Sequence, residues 1–444
     1  MKVTNLPFDP GPAAWNIILP PPLNHPALEE NITTDVLIIG AGFAGLSAAR
    51  RLKQLNTSLD ITVVEARRVA DGPAGRNSGF MIDLPHNLGS DDYAGQNETD
   101  RLQTNLNRQA ISFALDAKQE YDMEEEALVK SGKINAAASS KGSRHNQDYA
   151  HHLRNFGEPS ELLDAHQMQD VSGSKYYESG LFTPGTAILQ PALYTRNFAH
   201  GLARDKIRIF ENTPVIGLKK KDGVWHAETP QGGIEAPKVI LAINGHAESF
   251  GHFKRQLIHV YLYASMTRAL SKEEIKSLGG QSVWAFTPSD PMGSTVRKIN
   301  GIGGTRIVIR NSISWAPSRT ISKDKPKDFA RIHDKSFYHR FPILKDVQME
   351  YRWGGLLCLS RNAVPAFGEL EKGLYSACCQ NGLGTAIGTL SGITIAEKLL
   401  GERNERTEFF DNQPVPTKLP PEPLAAIGAN ALFKYREIRA GREL

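Results

Sequence analysis

The chain is poor in cysteine. It has three in 444 residues, Cys358, Cys378 and Cys379, two of them adjacent. An odd count with a neighbouring pair makes a poor disulfide framework, so a reducing compartment, the cytoplasm, is expected. Long apolar runs are also missing. None reaches the roughly 18 residues of a membrane span, and the opening "MKVTNLPFDPGPAAW" lacks the apolar core of a secretory signal. Charge of one sign is scarce as well. A net +4 over this length is close to balance, and no arginine–aromatic cluster of the RNA-binding kind occurs, so neither a membrane span nor a nucleic-acid partner is expected. No Cys/His spacing suggests zinc, and no metal site is expected. What remains is an ordinary globular composition, 40% apolar and 23% charged, in a chain long enough for two domains.

Glycine, by contrast, is concentrated where it matters. "DVLIIGAGFAGLSAARRL" runs from Asp35 to Leu52. "DVLIIG" reads as a buried strand, and "FAGLSAARRLKQL" as a helix with an apolar stripe at Leu46, Ala49 and Leu52. Between them, Gly40 permits a tight turn, Gly42 lets a pyrophosphate approach the backbone, and Gly45 lets the helix pack on the strand. The helix start offers free N–H groups and a positive dipole end. A second strand, "DITVVEA", ends at Glu65, about twenty residues past Gly45, where a carboxylate accepts hydrogen bonds from ribose. This is a dinucleotide-binding βαβ unit. The glycine-rich polar loop "VADGPAGRNSGFM" (Val69 to Met81) follows in place of another helix and strand. Such a loop can lie along an extended cofactor, which favours FAD over NAD.

On these stretches the chain resembles the D-amino-acid oxidase superfamily of flavoproteins. More closely it resembles the branch of gamma-glutamylputrescine oxidases and related secondary-amine or amino-acid oxidases. The βαβ unit carries part of the likeness. "GPAGRNSGF" is similar to the loop that family places beside the flavin ring. "KVILAINGHAE" (Lys238 to Glu248), "RWGGLLCLSRNAVPAFGEL" (Arg352 to Leu370) and "GLYSACCQNGLGTAIGTLSGITIAEKLLG" (Gly373 to Gly401) follow in the family's order. Two positions depart from the pattern: Asn362 stands where an acid is usual, and Ser78 where glycine is usual.

The resemblance implies an α/β fold, in which a Rossmann-type, glutathione-reductase-like FAD domain interleaves with a mixed-sheet α+β substrate domain. The expected cofactor set is Gly40, Gly42, Phe43, Ala44, Gly45, Glu65, Ala66, Arg67, Gly75, Arg76, Asn77, Ser78, Gly79, Val215, Asn244, Gly245, Gly382, Leu383, Gly384 and Thr385. Arg76 and Asn77 are expected against the flavin ring, where a cation stabilises the anionic reduced form. The helix begun by "NGLGTAIG" is expected to point its N-terminus at the ring's pyrimidine edge. FAD is expected to be non-covalent. Cys358 is the alternative, because sarcosine oxidases carry flavin on a cysteine in the matching stretch. Cys378 and Cys379 read as small core residues.

The implied reaction oxidises the C–N bond of a small secondary amine or amino acid by hydride transfer to flavin N5, giving an imine that hydrolyses. Electrons then pass to O2 or another acceptor. The alternatives are an FAD-binding subunit acting only with a partner, or a flavoprotein of the same fold working on a tRNA wobble amine or a polyol phosphate. A substrate carboxylate calls for an arginine fork, and "STVRKINGIGGTRIVIR" supplies Arg297, Lys298, Arg306 and Arg310. By resemblance Arg306 falls where sarcosine oxidases place a lysine over the flavin; a structural salt bridge is the competing reading. On the strand "IHVYLYASM", Tyr261 and Tyr263 are candidates for an amine cage, with His259 on their face. Core packing is the alternative for all three.

Along the chain, residues 1–30 read as an extended segment. Residues 31–90, 165–255 and 351–411 form a discontinuous FAD domain, 91–164 and 256–350 the substrate domain, and 412–444 a tail with a helix.

Overall fold

In the computed structural model of the protein, residues 2–8, 11–85 and 97–444 are described. The expected boundary at residues 90 and 91 lies outside them. Val36–Ile39 is buried at all four positions, as a central parallel strand covered on both faces must be. It pairs in parallel with Ile61–Val64 on one side and Lys238–Leu241 on the other. Arg208–Phe210 and Leu374–Cys378 extend the parallel sheet outward, and Ala366–Glu371 closes it as an antiparallel edge. The helices Phe43–Leu55 and Ala386–Leu399 pack together over this sheet. A four-stranded sheet is built on Gly217–Lys221, Val224–Glu228 and Gly233–Ala236, with Ile32–Thr33 at its edge.

The second large sheet has eight strands. Met349–Leu359, Ile258–Thr267, Gly304–Trp315, Thr295–Gly301 and Trp284–Pro288 lie side by side, antiparallel throughout. Lys133–Ala137 joins in parallel, followed by Ser179–Thr183 and Glu161–Asp164. Two expectations shift here. "SGLFTPGTAILQP", inside residues 165–255 expected in the FAD domain, holds the strands Ser179–Thr183, which joins this second sheet, and Ala187–Leu189. Met349–Leu359, most of it expected in the cofactor domain, covers the free edge of Ile258–Thr267, with Cys358 opposite His259. A bare strand edge needs a partner, and that long-range demand is invisible in local pattern.

The N-terminal segment also differs from a surface strap. It turns through a short helix, Ala14–Ile17, and inserts Trp15 with no exposed surface. At the other end, the tail forms the helix Leu424–Ala440, which lies against the strand Gly304–Trp315. Among the described residues, no helix is long and apolar enough to cross a membrane.

The dinucleotide unit depends on missing side-chain atoms. Gly40 has φ +106°, and a Cβ on it would lie 2.5 Å from the Ala242 carbonyl oxygen. A Cβ on Gly45 would lie 1.9 Å from the Gly40 carbonyl oxygen, a contact that backbone movement alone relieves. Gly45→Ala is therefore expected to destabilise the fold by about 1–3 kcal/mol, the range for overpacking. Denaturant unfolding checks this, and an unchanged midpoint would mean that the helix and strand are not in this contact.

Candidate active site

A cavity of about 440 Å³ opens at the carboxyl ends of the parallel strands and extends to the face of the eight-stranded sheet. At the first end Gly40–Ala44, Glu65–Arg67, Thr213 and Val215 line it. This is where ligands bind in open parallel sheets. Gly42 caps the helix in extended conformation without a side-chain cap, and no acid stands in the first turn. The first N–H groups of this helix have no intrahelical acceptor. A Cβ on Gly42 would meet only Ala74 Cβ, at 3.7 Å, so the approach is open. Glu65 is held in place by two backbone donors: Ala41 N–H at 3.0 Å and Arg67 N–H at 3.1 Å.

The middle of the cavity is walled by Asn244, Gly245 and Gly382–Thr385. Thr385 donates its hydroxyl to the Phe80 carbonyl at 2.5 Å, tying the start of the Ala386–Leu399 helix to the glycine-rich loop. That loop is held from both sides by indoles. Trp15 Nε1 donates to the Asn77 carbonyl at 2.9 Å, and Trp353 Nε1 to the Arg76 carbonyl at 3.0 Å. Arg76 donates to the Gly354 and Gly11 carbonyls, while the Asn77 amide closes the turn through Ala74 O and Gly79 N–H. Gly45, Gly75 and Gly79 do not line the cavity. A Cβ on Gly75 would sit 2.0 Å from Ala70 O, and one on Gly79 2.3 Å from Leu189 O. These three shape the walls from behind.

At the far end, Trp353, Ala264, Arg310 and Thr295 stand at one level on four adjacent strands, and all four line the cavity. Arg310 is thus two strand spacings, roughly 10 Å, from Trp353 and its loop. Burial pushes its pKa down to about 10, and it is still a cation at neutral pH. Among the described residues no carboxylate pairs with it. Beside it the strand bulges at Ser312, a non-glycine residue with φ +64°, between the pairs Leu262–Ile313 and Tyr263–Asn311. The bulge brings Asn311, Ser312 and Ile313 all to the wall. Beneath the loop, Arg297 donates to Ser78 O at 2.8 Å and Leu189 O at 2.9 Å, with its guanidinium 5.2 Å from the Trp15 ring centre. Burial lowers its pKa to about 9.

The expected catalytic residues fare differently. Arg306 is four residues before Arg310, roughly 13 Å along the strand, and does not line the cavity. It pairs with Glu350 at 2.5 Å and donates to the Thr267 and Gly303 carbonyls. The two arginines share a strand face, but register against the neighbouring strands puts only Arg310 at the cavity level. Tyr261 reaches the wall, but its hydroxyl donates to backbone carbonyls of Arg319 at 3.1 Å and Phe8 at 3.2 Å. Tyr263 stacks on Phe329 in the core. His259 does not line the cavity. Its Nε2 donates to the Gly245 carbonyl at 3.0 Å, fastening the wall segment to the sheet. Cys358 lies in the core with Cys378 and Cys379, away from the cavity lining, and burial raises its thiol pKa.

Sequence reading missed Trp15, His246, Arg319 and Arg436, which also line the cavity. A lone tryptophan in a proline-rich opening was the available signal for Trp15. The others carry none in the local pattern. Among the described residues, no group of three or more His, Cys, Asp or Glu is placed to hold a metal ion.

With this geometry in view, the comparisons are consistent. The family model described as FAD dependent oxidoreductase matches residues 35–398. A "Probable oxidoreductase OrdL" of Haemophilus influenzae is 27% identical over 403 residues, 88% of each chain. The gamma-glutamylputrescine oxidoreductase of Escherichia coli is 24% identical, over 87% of this chain and 88% of its own. The crystal structure of glycine oxidase from Bacillus cereus superposes with a TM-score of 0.69 at 18% identity, covering 88% of this chain and all of that one. The chain belongs to the DAO family of FAD-dependent oxidoreductases. Its cofactor is FAD, and the resemblance read from the sequence holds.

The residues fit that cofactor. The uncapped, acid-free helix start and the bare face of Gly42 suit a pyrophosphate, and Glu65 suits the ribose. Gly42→Ala is expected to fold normally but to bind FAD roughly tenfold more weakly, by flavin-fluorescence titration of the apoprotein. Acid precipitation is expected to leave yellow flavin in the supernatant; flavin retained in the pellet would mean a covalent link.

His259 and His246 are held neutral. Burial first, then the Arg319 cation, pushes them down to about 4 and about 3. The unfolded chain binds protons on these rings below about pH 6.5, and the folded chain does so only near 4. Their neutral forms therefore favour the fold, and stability falls as pH drops through that window. His259→Gln is expected to lose about 2 kcal/mol less than the parent between pH 7 and pH 5 in urea unfolding. Equal losses would mean that another group carries the titration.

Proposed function

We propose that the protein oxidises the C–N bond of a small amine or amino acid whose carboxylate pairs with Arg310. One observation carries this reading: Arg310 is a half-buried cation on the cavity wall, its pKa lowered by the protein around it, with no carboxylate partner among the described residues. A desolvated arginine fork is a strong site for a carboxylate, and uncompensated burial of a charge otherwise costs stability. The family's named relatives include oxidoreductases and oxidases of amine-bearing compounds, gamma-glutamylputrescine and glycine among them.

When bound, the flavin supplies the two-electron acceptor for hydride removed from the carbon next to nitrogen. The chain's own residues position and desolvate. Arg310 fixes the carboxylate end of the substrate. Arg76 and Asn77 present the loop that would hold the ring, kept in shape by Trp15 and Trp353. Arg297 and Arg310 put two positive charges at this end, where negative charge develops on reduction. Among the described residues the lining carries one carboxylate, Glu65, and it is occupied at the dinucleotide end.

The test is anaerobic mixing of the holoenzyme with sarcosine, N-methyl amino acids, proline, pipecolate, D-amino acids and gamma-glutamylputrescine, following flavin bleaching. One or more amines are expected to bleach it, and readmitted oxygen then distinguishes an oxidase from a dehydrogenase. Arg310→Ala is expected to lower kcat/KM roughly 100-fold, chiefly through KM, whereas Arg306→Ala stays within about threefold. No bleaching by any amine overturns the reaction class. Equal effects of the two substitutions overturn the role of Arg310.

A further inference from the structure

The helix Leu424–Ala440 lies beyond the segment that defines the family, which ends at residue 398. It is held as a fixed cover. Ahead of it, Leu419 exchanges bonds with Arg255: its N–H donates to the Arg255 carbonyl, and its own carbonyl accepts from the Arg255 guanidinium at 2.9 Å. Trp315 Nε1 donates to Glu422 at 3.2 Å. Behind it, the Leu444 main-chain oxygen accepts from Ser294 Oγ at 2.7 Å, Ser336 Oγ at 2.8 Å and Arg340 Nη1 at 2.9 Å. Ser294 in turn accepts from Asn311 of the cavity wall at 2.9 Å. The latch behind the helix is therefore continuous with the chamber.

This helix turns two residues inward. Phe433 and Arg436, three apart and so on one face, both line the cavity. The chamber residues they join are Arg310, Asn311 and Ser312 of the strand on which the helix packs. Arg436 is half-buried, and among the described residues it has no ion pair or hydrogen-bond partner. Two arginines from separate elements, neither neutralised by a carboxylate, thus border one end of the same cavity.

We propose that Arg436 gives the substrate chamber a second anion position, so that the preferred amine carries an acidic group at each end. The substrate class is an amino acid or N-substituted glycine with a distal carboxylate: one carboxylate pairs with Arg310 and the other with Arg436. The C–N bond is held between the two anchors and Phe433 covers the apolar span. Arg436 is then a specificity-determining residue, and Arg310 the anchor shared with simpler amines. The proposal rests on the amine reading for the word "amine" alone; the pair of anion positions stands on the geometry.

The test separates the two. Malonate, succinate, glutarate and adipate are titrated into the holoenzyme, each against the monocarboxylate of equal carbon count, and dissociation constants are read from the flavin difference spectrum. One dicarboxylate is expected to bind roughly tenfold more tightly than its monocarboxylate. The ratio should fall towards one in Arg436→Gln and persist in Arg436→Lys. Ratios near one for every length, or a preference that survives Arg436→Gln, overturn the proposal. In parallel, sarcosine and N-carboxyalkyl glycines are compared as reductants of the flavin. A dicarboxylate preference in binding, with no amine reducing the flavin, supports the second anion position and overturns the amine reading. Reduction by amines without any gain from a second carboxylate overturns the second position and leaves the amine reading intact.

Discussion

Two indole N–H bonds hold the site together. Trp15 and Trp353 donate to consecutive carbonyls, those of Asn77 and Arg76, and their rings meet edge to face at 6.2 Å. One indole comes from the N-terminal segment and the other from the eight-stranded sheet, while the loop between them belongs to the dinucleotide unit. Buried backbone carbonyls need donors. By supplying them from the N-terminal segment and from the eight-stranded sheet, the two touching tryptophans tie the loop of the dinucleotide unit to the substrate sheet. The level of Arg310, the seat of Arg297 under Ser78 and the path of the loop all follow from that tie.

Around this joint, positive charge is gathered and negative charge is kept away. Among the described residues, Arg67, Arg76, Arg310, Arg319 and Arg436 line the cavity, against Glu65 alone. Arg319 is answered by Glu248 at 3.0 Å behind the wall, and the same cation helps keep His246 and His259 neutral. Arg306, outside the cavity, has Glu350. Neither Arg310 nor Arg436 has a carboxylate partner among the described residues, and Arg310 stands at the end of the cavity formed by the eight-stranded sheet. The two phosphates of FAD, and the carboxylate of the substrate proposed above, would supply the missing negative charge.

How much of this the sequence displayed depended on distance along the chain. The strand, glycine turn and helix from Val36 to Leu55 were legible because each glycine's role is set by neighbours within a few residues. Arg310 was not separable from Arg306, because both share one face and only register against Ile258–Thr267 and Thr295–Gly301 decides which meets the cavity. His259 and Tyr261 looked chemical because of residue type. Their polar atoms turned out to be engaged with the Gly245, Arg319 and Phe8 carbonyls, partners that no local pattern announces. Trp15 and Arg436 reach the cavity from opposite ends of the described chain, which is tertiary information entirely.

The interleaving of the two sheets has a consequence for how the molecule assembles. Cavity walls are drawn from Val3 to Arg436, with each sheet built from segments on either side of the other. Neither sheet can be completed while the rest of the chain is unformed, so contacts distant in sequence must close before the cavity exists. Anything that fills the cavity binds only the finished fold. Its binding free energy is then added to the stability of the whole chain, rising logarithmically with free ligand. Cellular flavin supply thereby becomes a determinant of how much folded protein persists, apart from its effect on turnover.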